Sequence, residues 1–439
     1  MNIKLIIVAT ILSGSSIIAR GQTDFVAALN ANIIPIKSIA PNDDFSDLQP
    51  LKAILKDKKL IGLGESAHGV GSFFLFKQRL LEFLVKEEGV KVLFTETDVA
   101  GTQTANDYIL YGKGDLAKVH KDWATGVWNT QEFLDMLEWL KQYNATQTDA
   151  NKVQVFGFDM TRGNAAANLL HDYLQPGGHI TPTIQKGFDV LTSGGRTKED
   201  IQVISEAVSQ LVTIPFDKAD KNALFYHHLI DLIEQYRQFI APNTTSRENE
   251  KNDLRDGYMS DNIQWAYRFA GNKKAAIWSH SEHLTKAQNS TGVARAGIFL
   301  NQQFKDDYYL LGLCFNNGSI KSAPTPGYPS GIYELPPVTN NIKRDLSPPL
   351  SLPSHAEVYS NSDALFAECN TPNFILDFKT ASTNAVIKDY LNQTVTSYFI
   401  GSNYALKAGT PQQYIQHKWA EGFDGIAYIR TVAAATPVK

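Results

Sequence analysis

Along the first 160 residues, short apolar runs ending in glycine or a carboxylate alternate with stretches of helical spacing. Lys59-Leu60-Ile61-Gly62-Leu63-Gly64 is the first such run, and Phe73, Lys77, Leu80, Leu81 and Leu84 follow it at helical spacing as far as Gly89. This pattern predicts strand, tight loop and helix. Val90 to Glu96 predicts a second buried strand, joined to the first by that helix in a βαβ unit whose strands end on one edge. Ala105 to Tyr111 has helical spacing and stops at Gly112 and Gly114. Trp123 and Trp128 fall in a predicted loop. Gln131 to Tyr143 predicts an amphipathic helix with Phe133, Leu134, Leu137 and Leu140 on one side. Lys152 to Phe158 predicts a third strand, ending at Asp159. Buried strands alternating with helices predict an α/β fold with a central, mostly parallel sheet flanked by helices.

The rhythm changes from about 161 to 271. Strand signals vanish, and helical patterns follow one another from Ala165 to Ala270, which predicts a helical lobe inserted beside the sheet. His227 and His228 lie on adjacent helix faces there, so they cannot share one ligand. Strand signals return at Lys274 to Ser279 and at Tyr308 to Phe315, then at Phe374 to Phe378 and Asp424 to Arg430. Residues 317 to 360 are rich in Pro, Gly, Ser and Asn and predict an extended loop over the site. Residues 22 to 58 read as a lead-in with a helix over Phe45 to Leu55.

Composition refines this picture. The 439 residues are 43% hydrophobic and 20% charged, an ordinary globular balance with material for a large core. A net charge of -4 without a Lys/Arg run excludes a nucleic-acid partner. Lys4, the apolar Leu5 to Ile18 and the small-x-small Ala19-Arg20-Gly21 predict a cleavable signal peptide over 1–21. The predicted mature chain is a single domain over 22–439, without a membrane anchor, monomeric, and periplasmic or secreted. Two cysteines, Cys314 and Cys369, are too few for a disulfide framework.

The candidate chemistry sits at predicted strand ends, where α/β folds build their sites. Glu65 and His68 lie three apart just past the first strand. An imidazole titrates near neutral pH and a carboxylate can orient it, so the two are acid/base equipment. Three other readings fit the same residues. Gly62 to Ala67 matches a dinucleotide fingerprint, but Glu65 would set a negative charge beside a pyrophosphate. Ser66 in G-x-S-x-H suggests a nucleophile elbow, but His68 replaces the closing glycine. Glu65 could also simply cap the next helix. Glu96 ends the second strand, and His280-Ser281-Glu282-His283 follows the fourth. Together they predict a cluster of two acids and three imidazoles. The stretch from Asp253 to Asn262 is dense in charge, and Arg255 can face the cleft.

These motifs, in this order, resemble the erythromycin esterase family. The matches are Gly64-Glu65-Ser66-Ala67-His68, Lys77/Arg79, Phe94-Thr95-Glu96, Trp139 to Asn144, Gly157-Phe158-Asp159, His280-Ser281-Glu282-His283 and Phe423-Asp424-Gly425. The resemblance implies a cofactor-free hydrolase that opens the macrolactone ester of 14-membered macrolide antibiotics and so confers macrolide resistance. It implies His68 as the general base, Glu65 as its orienting partner and Glu96 as a holder of water. His280 and His283 would position substrate or stabilise an oxyanion, and Lys77, Arg255, Trp123 and Trp128 would contact substrate. Some members carry Arg where this chain has Lys77, and Lys lacks the bidentate fork. The alternative is a metal-dependent hydrolase or metal-binding protein of the same fold. Carboxylate and imidazole groups are also zinc, manganese and iron ligands.

Overall fold

The computed structural model describes residues 24–41, 44–123, 126–242, 249–323, 330–338, 361–402 and 414–438. The expected signal peptide and, of the expected loop over 317–360, residues 324–329 and 339–360 lie outside them. The chain forms a mixed α/β fold around a nine-stranded sheet. In chain order the strands are β1 (Ile34–Pro35), β2 (Leu60–Leu63), β3 (Val92–Asp98), β4 (Gln154–Asp159), β5 (Ala275–Trp278), β6 (Tyr308–Ser322), β7 (Gly331–Leu335), β8 (Asn373–Asp377), β9 (Val395–Tyr398), β10 (Tyr414–His417) and β11 (Gly425–Val432).

The order across the sheet is β1-β8-β11-β6-β2-β5-β3-β4, with β7 paired to β6. From β11 to β4 every pairing is parallel. Antiparallel β8 and β1 extend the other edge. Strand residues alternate between the two faces. Ile61, Leu63, Leu93, Ala276, Trp278 and Leu311 join one core cluster, and Leu60, Val92, Phe94, Ala275, Ile277 and Leu310 join the other. Both faces are buried, so the strands read as unbroken apolar runs rather than half-polar ones. Helices Gly71–Glu87 and Gln131–Ala145 cover the first face, and helices Glu250–Phe269 and Ala296–Phe304 cover the second.

Between β4 and β5 come helices Gly163–Leu174, Pro182–Ser193, Lys198–Leu211, Lys221–Ile240 and Glu250–Phe269. The first four close around their own core of Leu170, Phe188, Ile204, Leu229 and Ile233, which meets the sheet at Val99, Ala100 and Met160.

Three features differ from the sequence expectation. β5 lies between β2 and β3, so the first two strands are not neighbours. β6 runs on to Ser322 and pairs with β7 in a hairpin, where a loop was expected from 317. Its outer part alternates buried and half-exposed residues, so it lacks the apolar run that marks the inner strands. Trp123 closes a helix, Leu116–Asp122, begun by the Asp115 side chain accepting from the Lys118 N–H. Cys314 and Cys369 are buried free thiols. Among the described residues, no helix is long and apolar enough to cross a membrane.

Candidate active site

The loop after β2 is held rigidly before any side chain acts. It continues to pair with β6, the Gly64 N–H donating to Leu311 O (2.8 Å) and the Ser66 N–H to Leu313 O (2.9 Å). On its other side the His68 N–H donates to Ile400 O at 3.3 Å. The turn closes at Gly69, whose φ of +71° and approach to Lys321 O leave no room for a Cβ. The side chains of Glu65 and His68 therefore leave a fixed backbone.

Glu65 is wholly buried. One of its oxygens, Oε1, lies 2.8 Å from His68 Nδ1, and the other, Oε2, accepts from Lys77 Nζ at 2.7 Å. Lys77 comes from helix Gly71–Glu87, is itself fully buried, and also donates to Ser279 O at 3.2 Å. Its ammonium lies 5.2 Å from the Trp278 ring centroid. Burial opposes the Glu65 charge, but Lys77 and His68 outweigh it and hold the carboxyl below its ordinary range. Burial pushes Lys77 down to about 8, against the pull of Glu65. An ionised Glu65 can only accept, so the network assigns the proton of neutral His68 to Nδ1. That leaves the Nε2 lone pair facing the cavity.

Glu96, at the end of β3, is the hub of the cluster. Its Oε2 accepts from Ser279 Oγ at 2.8 Å and from the His280 N–H at 3.0 Å. Its Oε1 lies 4.0 Å from His68 Nε2, 3.4 Å from His283 Nε2 and 3.4 Å from Arg255 Nη2. Burial works against this charge, but His283, His68 and Arg255 hold the carboxyl well below the usual range. The segment after β5 brings two further imidazoles, His280 beside His68 and His283 beside Glu96. His280 Nδ1 accepts from the Glu282 N–H at 3.2 Å, and Nε2 lies 3.2 Å from Ile400 O. Both ring nitrogens are thus committed to backbone, and burial pushes His280 down to about 4. It is a neutral spacer whose ring centroid sits 4.9 Å from that of His68. His283 is the opposite case. Its Nδ1 lies 2.8 Å from Asp256 Oδ1, and burial is outweighed by Asp256 and Glu96, which raise its pKa. Arg295 Nη1 holds the other Asp256 oxygen at 3.2 Å.

These groups line a cavity of about 510 Å³ at the carboxyl ends of β2, β5, β3 and β4. Of the nine residues singled out from sequence, His68, Glu96, His280, His283, Arg255, Trp123 and Trp128 line it. Glu65 lies one side chain behind His68. Lys77 was expected to touch substrate, but it lies behind Glu65 with no exposed surface, so its contact is with the carboxylate. Trp123 and Trp128 donate their indole N–H groups to Asp98 O (3.2 Å) and Glu96 O (2.7 Å), tying the wall to β3. Arg255 grips Asp159 with Nε and Nη2 at 3.2 and 2.7 Å. Sequence reasoning noticed Asp159 as a strand-end acid but gave it no role. It missed Asp98 and Asp256. Asp98 sits two residues past the strand-end Glu96, which was a signal; Asp256 had none beyond the dense charge around it.

A metal would need lone pairs left over after these bonds. His68 Nε2, His283 Nε2 and Glu96 Oε1 converge, but Arg255 already sits 3.4 Å from that oxygen. Among the described residues, no group of three or more His, Cys, Asp or Glu is arranged to hold a metal ion. The arrangement can accept a proton at His68 Nε2 and offer donors from His283 and Arg255 across one cavity.

Comparison with known proteins places this geometry in a family. The erythromycin esterase family model matches residues 85–432. The predicted hydrolase YbfO of Bacillus subtilis (strain 168) is 22% identical over 91% of this chain and 90% of its own. Erythromycin esterase type II of Escherichia coli is 26% identical over 65% of this chain and 75% of its own. A solved succinoglycan biosynthesis protein superposes with a TM-score of 0.78 at 21% identity, covering 95% of this chain and 99% of that one. An erythromycin esterase mutant in its open conformation superposes with a TM-score of 0.61 at 15% identity, covering 91% and 98%. At such identities the structural likenesses speak for the fold. The family match begins after His68, so the parts assigned to Glu65 and His68 rest on their geometry.

Proposed function

This chain belongs to the erythromycin esterase family, and from that premise we propose that it opens the macrolactone ester of 14-membered macrolides with a His68-activated water. The observation that carries the reading is His68 itself. Its Nδ1 is fixed 2.8 Å from a buried, charged Glu65, and its Nε2 is open to the cavity. Water is a poor nucleophile near neutral pH, and a positioned base raises its reactivity by about two to four orders of magnitude. The gap of 4.0 Å between His68 Nε2 and Glu96 Oε1 suits a water that both groups hold.

Attack on the carbonyl carbon passes the water's proton to Nε2, and Glu65 stabilises the resulting imidazolium. The negative charge that develops on the carbonyl oxygen needs donors. His283, kept cationic by Asp256, and the Arg255 guanidinium 3.5 Å from it supply them. One such donor contributes about 3 kcal/mol to a transition state. A cavity of this size falls in the range of small-molecule sites. Its acidic wall at Glu96, Asp159 and Glu282 suits a ligand with a cationic amino sugar. The lysine, apolar and small-residue pattern of residues 1–21 supports action outside the cytoplasm.

Purified protein incubated with erythromycin, with and without EDTA, beside His68→Ala, tests this by mass spectrometry. A gain of one water that EDTA spares and His68→Ala abolishes is the expected outcome. A gain lost in EDTA would move the reading to a metal-activated water. Folded protein with no gain would remove macrolides as substrate and leave an esterase of this family.

A further inference from the structure

Asp98 is a buried carboxyl in the cavity wall to which the steps above give no part. It lies at the end of β3, beyond a register shift, opposite Asp159 on β4. Two carboxyl groups in register on neighbouring strands repel if both are charged. The surroundings divide the labour between them. Asp159 takes both arms of Arg255, the Met160 N–H at 2.8 Å and Thr161 Oγ1 at 3.4 Å. Asp98 takes the Ala100 N–H at 2.8 Å on Oδ1 and the Arg162 N–H, and the Arg162 charge acts on it as well. Asp159 has the Arg255 guanidinium as its partner, while burial and the neighbouring Asp159 both work against a charge on Asp98.

Its position relative to His68 matters as much. The base follows β2, and Asp98 ends β3, two strand positions away across β5. Both line the same cavity, and Glu96, on the same strand as Asp98, reaches to within 4.0 Å of His68 Nε2. Ester hydrolysis needs a base holding water and an acid within hydrogen-bond reach of the leaving oxygen in one cavity, and this cavity offers both.

We propose that Asp98 is the catalytic acid that protonates the departing alcohol oxygen; the proposal rests on the ester-hydrolase reading. When the tetrahedral intermediate collapses, the bond between carbon and ester oxygen breaks and its electron pair goes to that oxygen. The oxygen takes the Asp98 proton, leaving a carboxylate. Solvent then restores the Asp98 proton, and His68 returns its own to solvent. Burial first, and Asp159 in addition, push Asp98 up to about 7 against the Ala100 N–H and Arg162, so the acid form is populated near neutrality.

The test is a leaving-group series with one acyl group, from p-nitrophenyl to simple alkyl esters, on wild type, Asp98→Asn and Asp98→Glu. A p-nitrophenolate leaves without a proton, whereas an alkoxide needs one. Asp98→Asn keeps the acceptor for the Ala100 N–H, and its activity on the p-nitrophenyl ester reports that it is folded. The expected result is a loss of about a hundredfold or more on alkyl esters with p-nitrophenyl turnover nearly unchanged, partly restored in Asp98→Glu. Infrared difference spectra should show a protonated carboxyl on the acid side of neutrality that Asp98→Asn lacks. Equal losses on both ester types, no loss, or no such band would overturn the proposal. Wild type inert toward every ester would overturn the hydrolase reading itself, and this proposal with it.

Discussion

Replacing Lys77 by Met removes one half of a fully buried pair whose other half orients the proposed base. Lys77 falls from 10.5 to about 8 in the fold, so burying its charge costs about 3 kcal/mol even with Glu65 beside it. Methionine relieves that cost and fills similar space. It also leaves the Glu65 carboxylate buried with His68 as its remaining side-chain partner. Removing one member of a buried pair typically destabilises by about 3 to 5 kcal/mol, because the partner's charge loses its compensation. Lys77→Met and Glu65→Gln should each lower the free energy of guanidinium unfolding by an amount in that range. The double variant should lie within about 1 to 2 kcal/mol of wild type, since a neutral pair needs no compensation. Hydrolysis should not recover with stability, because neither glutamine nor a protonated Glu65 stabilises the imidazolium. Turnover should stay down by about two orders of magnitude or more in all three. A pH series adds a second check. Between about 8 and 10.5 the unfolded chain holds the Lys77 proton and the fold does not, so stability from this group rises with pH, and Lys77→Met lacks that rise. Strictly additive losses in the double variant would refute the coupling and with it the account of Lys77.

Asp256→Asn removes the main group that holds His283 cationic, so the alkaline limb of kcat/KM should move to lower pH. In wild type the raised pKa of His283 gives stability that is full below 6.5 and is lost as pH rises through the higher folded value; Asp256→Asn should flatten that slope in thermal unfolding. Gly69→Ala would put a Cβ 1.9 Å from Lys321 O at a φ of +71°, so it should cost at least about 2 kcal/mol in chemical unfolding and reduce turnover by shifting His68.

The inner strands and the acids and imidazoles at their ends were legible because a strand buried on both faces must be apolar throughout. A glycine or carboxylate where it ends then stands out. Glu65, His68, Glu96, His280 and His283 all lie at such ends, which is why sequence brought them together. Arg255 was legible as a charge on a helix, but its grip on Asp159 spans 96 residues and no local pattern encodes it. The family resemblance implied Lys77 as a substrate contact, but whether a charge is buried is decided by its partner, here Glu65.

Local spacing thus determined the strands, the helices that separate them and the cluster of ionisable groups at the strand ends. Backbone propensity and side-chain period act over a few residues and need no distant partner. The tertiary structure decided strand order, which set β5 between β2 and β3 and put His280 beside His68 and His283 beside Glu96. It also decided which charges are neutralised. Glu65 is held by Lys77, Asp159 by Arg255 and Asp256 by Arg295, while burial and Asp159 raise Asp98 in spite of the Ala100 N–H and Arg162. Protonation in a buried site depends on desolvation and on charges within a few ångströms, and both exist only once the chain has folded.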